Sequence, residues 1–155
     1  MIIELVSEND FEELSKMIQE TCRISFENFY PNEWIEYTIS RQTIERLKDK
    51  ANKLSFYVAK DKNEIVGCGA IGDYYGKEDE SCLFSFFVKP TSQGKGVGKA
   101  IMTTLEKDNY FVRAKKIYVP SSIPALPFYK KMGYDFKEGK MIFEDGSFLL
   151  EKTKE

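Results

Sequence analysis

Apolar side chains recur along this chain with two periods, and the switches between them mark out its elements. Ile2, Ile3, Leu5 and Val6 form a short apolar run that predicts a first strand. Ser7 and Asn9 follow as candidate helix caps. Phe11, Leu14, Met17, Ile18 and Cys22 then fall three and four residues apart, which predicts an amphipathic helix to about Arg23. An aromatic-rich stretch from Ser25 to Tyr30 ends at Pro31. A second helical region is expected from about Asn32 to Lys50, carrying Trp34, Ile35, Ile39, Ile44 and Leu47. It should break near Ser40, with Thr43 capping a new helix.

The second half switches to strands. Leu54 to Ala59 predicts one, Asp61-Lys62-Asn63 is turn chemistry, and Glu64 to Gly72 predicts a return strand. Asp73 to Glu80 reads as a polar connection. Cys82 to Val88 is nearly continuous in apolar residues, which predicts a strand buried on both faces. Pro90 ends it, and Gln93-Gly94-Lys95-Gly96-Val97-Gly98 leads into a helix striped by Val97, Ile101, Met102 and Leu105. Ile117-Tyr118-Val119 predicts a strand ended by Pro120, followed by a short helix around Ala125 to Met132 that stops at Gly133. Tyr134 to Phe143 and Ser147 to Glu151 predict a hairpin about Asp145-Gly146. The order β-α-α-β-β-β-α-β-α-β-β makes one mixed α/β domain over residues 1–155.

Composition narrows the chemistry. A chain of 155 residues and 18.0 kDa holds one domain and a core that needs no disulfide or metal staple. Lys plus Arg number 23 against 25 Asp plus Glu, so a general grip on nucleic-acid phosphates is not expected. Histidine is absent, which removes a histidine base, a Ser-His-Asp triad and histidine-ligated zinc; no metal site is expected. Cys22, Cys68 and Cys82 form no C-x-x-C pair, as in a reduced, cytoplasmic compartment. The N-terminal residues do not form a signal peptide, and no apolar run approaches the ~18 residues of a membrane span.

The loop from Gln93 to Lys99 is the sharpest feature. Glycines let backbone approach a ligand, the first helical turn offers unpaired N–H groups, and Lys95 and Lys99 add positive charge. A Walker loop is excluded, because Gln93 stands where its first glycine belongs and Ala100 where its magnesium hydroxyl belongs. A dinucleotide loop is excluded, because Lys99 takes its last glycine position. Gln93-x-x-Gly96-x-Gly98 after Val88-x-Pro90 instead resembles the acetyl-CoA loop of the GNAT N-acetyltransferase superfamily. Ile65-Val66-Gly67 resembles that family's strand entry after the first hairpin turn. Ala125-x-x-Phe128-Tyr129-Lys130-Lys131-Met132-Gly133-Tyr134 resembles its second motif. The likeness runs over essentially the whole chain, in the family's order.

The resemblance implies a GNAT-like α/β (α+β) domain, with a mixed twisted sheet of about seven strands flanked by helices on both faces. It implies acetyl-CoA as co-substrate and transfer of the acetyl group to an amine. The backbone of Phe86, Phe87 and Val88 would pair with the pantetheine arm. Gln93, Gly94, Lys95, Gly96, Val97, Gly98 and Lys99 would hold the pyrophosphate, and the Val88 N–H would serve the oxyanion. Tyr129 would be the general acid to the CoA thiolate; packing of the short helix is the other role open to it. Ser122 stands where the family often has asparagine. Pro124 and Pro127 should make the helix of Tyr129 start late.

No general base declares itself. Some relatives carry a glutamate early in the strand leading to Val88, near where Cys82 stands, and others on the next strand, near Ile117; a thiol at Cys82 in an apolar strand should be inert. Glu80, Asp73, Glu33 and Glu36 could edge the acceptor site or be solvated charges. The family builds its acceptor pocket from the first two helices and the segment Asp73 to Glu80. The expected contacts there are Glu33, Trp34, Asp73 and Glu80, with Phe26, Phe29, Tyr30 and Tyr37 as pocket or core. The partner is then a small-molecule or peptide amine, with no nucleic acid and no membrane. Homodimers are common in the family, and nothing in the chain specifies an interface. The alternative from another class is an acetyl-CoA-binding regulatory or interaction domain without turnover.

Overall fold

A computed structural model describes residues 1–154; Glu155, the last residue of the expected domain, lies outside the described residues. Strand β1 (Ile2–Leu5) leads through a single 3-10 turn into α1 (Phe11–Phe26). Helices α2 (Asn32–Ser40) and α3 (Ile44–Lys53) follow. Their break falls where Arg41 leaves the helical region, and the Thr43 hydroxyl accepts from the Arg46 N–H at 3.3 Å to start α3. Three strands come next: β2 (Ser55–Asp61), β3 (Glu64–Tyr74) and β4 (Lys77–Val88). After the glycine loop come α4 (Val97–Leu105), α5 (Asn109–Arg113), β5 (Lys116–Ser121) and α6 (Leu126–Lys131). The chain ends with β6 (Asp135–Phe136), β7 (Phe143–Glu144) and β8 (Ser147–Thr153).

These eight strands form one open mixed sheet in the order β1-β2-β3-β4-β5-β8-β6, with β7 paired to β8. All neighbours are antiparallel except β4 and β5. The expected seven or so strands become eight because the last hairpin's first arm is split into two-residue pieces by a 3-10 turn at Lys137–Gly139. Three hairpins turn on two residues of positive φ: Lys62-Asn63, Tyr75-Gly76 and Asp145-Gly146. Such turns match the right-handed strand twist.

Helices cover both faces. On one, Leu14, Ile18 and Cys22 of α1 pack with Ile35, Ile39 and Leu47 against Phe56, Val58 and Cys68. On the other, Val97, Ile101 and Leu105 of α4 pack with Phe111 and Tyr129 against Val66, Ile71 and Leu83.

The structure corrects four sequence expectations. The Asp73–Glu80 connection is a hairpin: β3 reaches Tyr74 and β4 starts at Lys77, its polar start being exposed. Pro120 does not end its strand, because β5 continues to Ser121; β4 has already parted from it there, so no ladder N–H is needed on that side. Helix α5 was not foreseen, since five residues carry no period; Asp108 caps it by accepting from the Tyr110 N–H at 2.9 Å. The fourth concerns β4. Ser81, Cys82 and Leu83 are buried, but Phe84 to Val88 are only half-buried. That half of the strand borders a cleft.

Candidate active site

The cleft opens where two parallel strands separate. β4 and β5 pair only through Glu80–Cys82 and Lys116–Tyr118. Beyond Cys82 the strands diverge, and a cavity of about 890 Å3 lies between them. That volume suits an organic ligand of substantial size.

A bulge in β4 shapes this opening. Ser85 takes φ +50, and the β3 register skips from Cys68↔Phe87 to Ala70↔Phe84. One inserted residue exchanges the faces of everything after it. Phe84 and Phe87 therefore pack with α1, whereas Phe86 and Val88 pack with α4. Two side chains brace the bulge: the Lys50 ammonium donates to Ser85 Oγ at 3.0 Å, and the Cys68 thiol donates to the Ser85 carbonyl at 3.1 Å. Burial holds the Lys50 ammonium below its ordinary pKa. Sequence reasoning missed the bulge because serine, unlike glycine, gives no signal for positive φ.

At the end of β4 the backbone is free. The Lys89 N–H donates to Val66 O at 2.8 Å, and Gly67 faces Val88. In that antiparallel pattern the Val88 N–H and C=O both point away from β3, toward the cleft. The carbonyl accepts from Gln93 Nε2 at 3.0 Å, which ties the glycine loop to the strand. The N–H has no strand partner.

The loop has the geometry its glycines require. Gly94 and Gly96 sit at φ +76 and +84, where a side chain would be strained, and no atom lies within 4 Å of where their Cβ would be. Gly96 precedes α4, so the first N–H groups of that helix face open space beside the cleft. Gly98 is small for packing: a Cβ would lie 3.0 Å from the Phe128 ring. Gln93, Gly94, Gly96, Val97, Gly98 and Lys99 all line the cavity; Lys95 is exposed outside its lining. Open glycine backbone, a free strand edge and Lys99 form a set of donors that fits a pyrophosphate-bearing ligand with an amide arm.

Tyr129 is placed by the end of α6. The Gly133 N–H donates to Lys130 O at 3.1 Å and the Tyr134 N–H to Tyr129 O at 3.0 Å, with Gly133 at φ +99. This is a Schellman stop, and Tyr129 and Tyr134 make its customary apolar contact, rings 6.1 Å apart. Pro127 sits in the first turn, and the helix starts late, at Leu126. Phe86 and Phe128 hold the Tyr129 ring edge-on at 5.8 and 5.4 Å. The ring is 96% shielded yet lines the cavity, and its hydroxyl makes no hydrogen bond among the described residues. Burial, aided by Tyr134, pushes its pKa far up, so the phenol is protonated at any working pH.

The acids named from sequence lie elsewhere. Asp73 pairs with Arg113, Glu80 with Lys77 at 3.5 Å, and Glu36 with Arg23 at 2.5 Å. Glu33 is exposed, and neither it nor Asp73 nor Glu80 lines the cavity. Among the described residues, the only charged side chains in the lining are Lys99 and Lys131. Cys82 is buried, with its thiol pushed up to about 12 by desolvation, so it is no nucleophile. Ser122 and Trp34 do line the cavity. Thr21, Ser25 and Thr38 also line it; small hydroxyls on a helix face gave no signal in the sequence. Tyr37 lies outward under Arg41.

An open sheet that splays beside a glycine loop, with strand edge and loop facing one cavity, is the architecture that the resemblance to a CoA-dependent acyltransferase implies. A sequence profile described as "Acetyltransferase (GNAT) family" matches residues 16–134, and the chain belongs to that family. It is an N-acetyltransferase with acetyl-CoA as co-substrate. The chain is 29% identical over 132 residues to an uncharacterized N-acetyltransferase, YjcF, of Bacillus subtilis strain 168, covering 82% of this chain and 89% of that one. Among solved structures it resembles the PaiA N-acetyltransferase of Thermoplasma acidophilum in complex with coenzyme A. The TM-score is 0.84 at 20% identity, over 99% of this chain and 100% of that one. It also resembles a GNAT-family acetyltransferase of Staphylococcus aureus Mu50, with TM-score 0.75, 17% identity and 98% of both chains covered. No helix among the described residues is long and apolar enough to cross a membrane.

Proposed function

We propose that this protein transfers the acetyl group of acetyl-CoA directly to an amine, with the Tyr129 hydroxyl protonating the departing thiolate. Acetyl-CoA supplies an activated acyl carbon. The chain supplies position and protons. The amides from Gly94 to Lys99 hold the pyrophosphate, and the Phe86–Val88 edge takes the amide arm as an added strand. Ser122 lines the same cleft and offers one further hydroxyl. The Val88 N–H donates to the acyl oxygen as negative charge grows on it. Tyr129 is poised as an acid because its surroundings keep it neutral and leave its hydroxyl without another partner.

The observation that carries this reading is the shared cavity: the unpaired Val88 N–H and the protonated Tyr129 face the space that the glycine loop borders. Among the described residues no carboxylate lines that space, so the amine enters neutral or loses its proton to water. Tyr129→Phe should lower kcat by about a hundredfold or more. Its acetyl-CoA affinity, read from the rise in unfolding temperature, should be unchanged. A kcat within a factor of two of wild type would remove Tyr129 from the mechanism.

A further inference from the structure

The acceptor end of the cavity is formed by α1, α2 and the β4 bulge. Its rings come from Phe26, Phe29, Trp34 and Phe84, and lining side chains from α1 and α2 carry no charge. The Ser25 and Thr38 hydroxyls face it without side-chain hydrogen bonds among the described residues.

Trp34 is held there as a rigid plate. It stacks on Tyr30 with ring centres 3.8 Å apart and planes 12° from parallel, and Phe26 meets it at 5.5 Å and 69°. Tyr30 is pinned by its hydroxyl, which donates to Gly146 O at 2.5 Å and accepts from the Ile123 N–H at 2.9 Å. The β7–β8 turn presses on the indole: a Cβ on Gly146 would lie 2.4 Å from it. The part of Trp34 left uncovered lines the cavity.

Resting on the acetyltransferase reading above, we propose that the acceptor is an arylalkylamine, a small primary amine with a flat, uncharged aromatic body, and that Trp34 is the surface on which its ring stacks. A fixed indole favours a flat apolar partner. A polyamine would lose hydration to a wall that offers no carboxylate. An acidic amine would find no cation among the side chains of α1 and α2 that line the cavity. The same apolar wall favours the neutral form of an amine brought against it, and so presents a nucleophile without a dedicated base. In the transfer, the amine nitrogen bonds to the acyl carbon and the carbon–sulfur bond breaks. The nitrogen gives one proton to water, and the thiolate takes one from Tyr129, which regains it from solvent.

Trp34 is the chain's single tryptophan, so its fluorescence reports on this wall alone. Titration of 2-phenylethylamine into the CoA-loaded protein should change that emission saturably, and spermidine should not. In turnover, 2-phenylethylamine should exceed spermidine by about a hundredfold in kcat/KM. Trp34→Leu should erase most of that ratio through KM, and Trp34→Phe should restore most of it. Protection by acetyl-CoA against thermal unfolding should be the same in both variants and the wild type. The acceptor assignment is overturned, and the acetyltransferase reading kept, if acetyl-CoA protects but spermidine is preferred, if 2-phenylethylamine leaves the fluorescence unmoved, or if Trp34→Leu keeps the wild-type ratio. Absence of acetyl-CoA protection in the wild type overturns both.

Discussion

The two walls of the cleft offer a ligand different means of recognition. The α4 wall works with backbone: open amides at Gly94 and Gly96, and a strand edge ending at Val88. The α1–α2 wall works with side chains, hydroxyls and rings, the rings fixed by contacts from distant parts of the chain. A backbone site needs only small residues at set spacings, so it tolerates drift elsewhere. A side-chain site changes its ligand whenever a ring changes.

The sharpest way to break that contrast is pH. If no acid on the acceptor wall serves as base, kcat/KM should climb about tenfold per unit as the free amine deprotonates, a hundredfold over two units. Neutral amine grows with pH, and the phenol of Tyr129 stays protonated throughout, so no falling limb should come from it. A plateau set well below the amine's own pKa would reveal a base. On the backbone wall, Gly96→Val forces a branched side chain to φ +84. It should weaken acetyl-CoA about tenfold, near 1.4 kcal/mol, and leave the amine's KM alone.

Gly146→Val attacks the other wall from behind. Its Cβ would collide with Trp34, so the amine's KM should rise several-fold, with acetyl-CoA protection unchanged. The smallest effect should come from a site on neither wall. Asp10 accepts from the Ser7 N–H at 2.8 Å and the Ser7 hydroxyl at 3.0 Å, and pairs with Lys60 at 2.9 Å. Burial alone would raise its carboxyl, but Lys60 and Ser7 bring it below the usual value. Asp10→Ala should cost about 1 kcal/mol, or about 2–4 °C, at neutral pH. A depressed carboxyl stabilises above its unfolded pKa, so the deficit should close as pH falls below about 4. Both ligand affinities should be untouched.

The same contrast explains what the sequence could tell. Periodicity located the large elements, and Thr43, Asn63 and Gly133 marked real boundaries because each supplies a cap or turn by its own chemistry. The turn geometry of Gln93 to Gly98 was legible because positive φ writes itself as glycine. The placement of Asp73 and Glu80 was not. Both lie on the hairpin side of Cys82, where β5 still pairs, and the opening begins only beyond that residue. Strand composition does not say at which end two strands part. Nor could it show that Tyr30, an aromatic among several, reaches residues 93 and 116 positions away to fix the acceptor wall.

The stop at Gly133 has one more consequence. Tyr129 is located by counting back from that stop, so Gly133 serves as the origin of the ruler that measures its position. Residues added before Pro124 would lengthen a loop and leave the ruler intact. One residue added between Tyr129 and Gly133 would rotate the ring by about 100° around the helix, out of the cleft. Changes in length are therefore cheap on one side of this tyrosine and ruinous on the other.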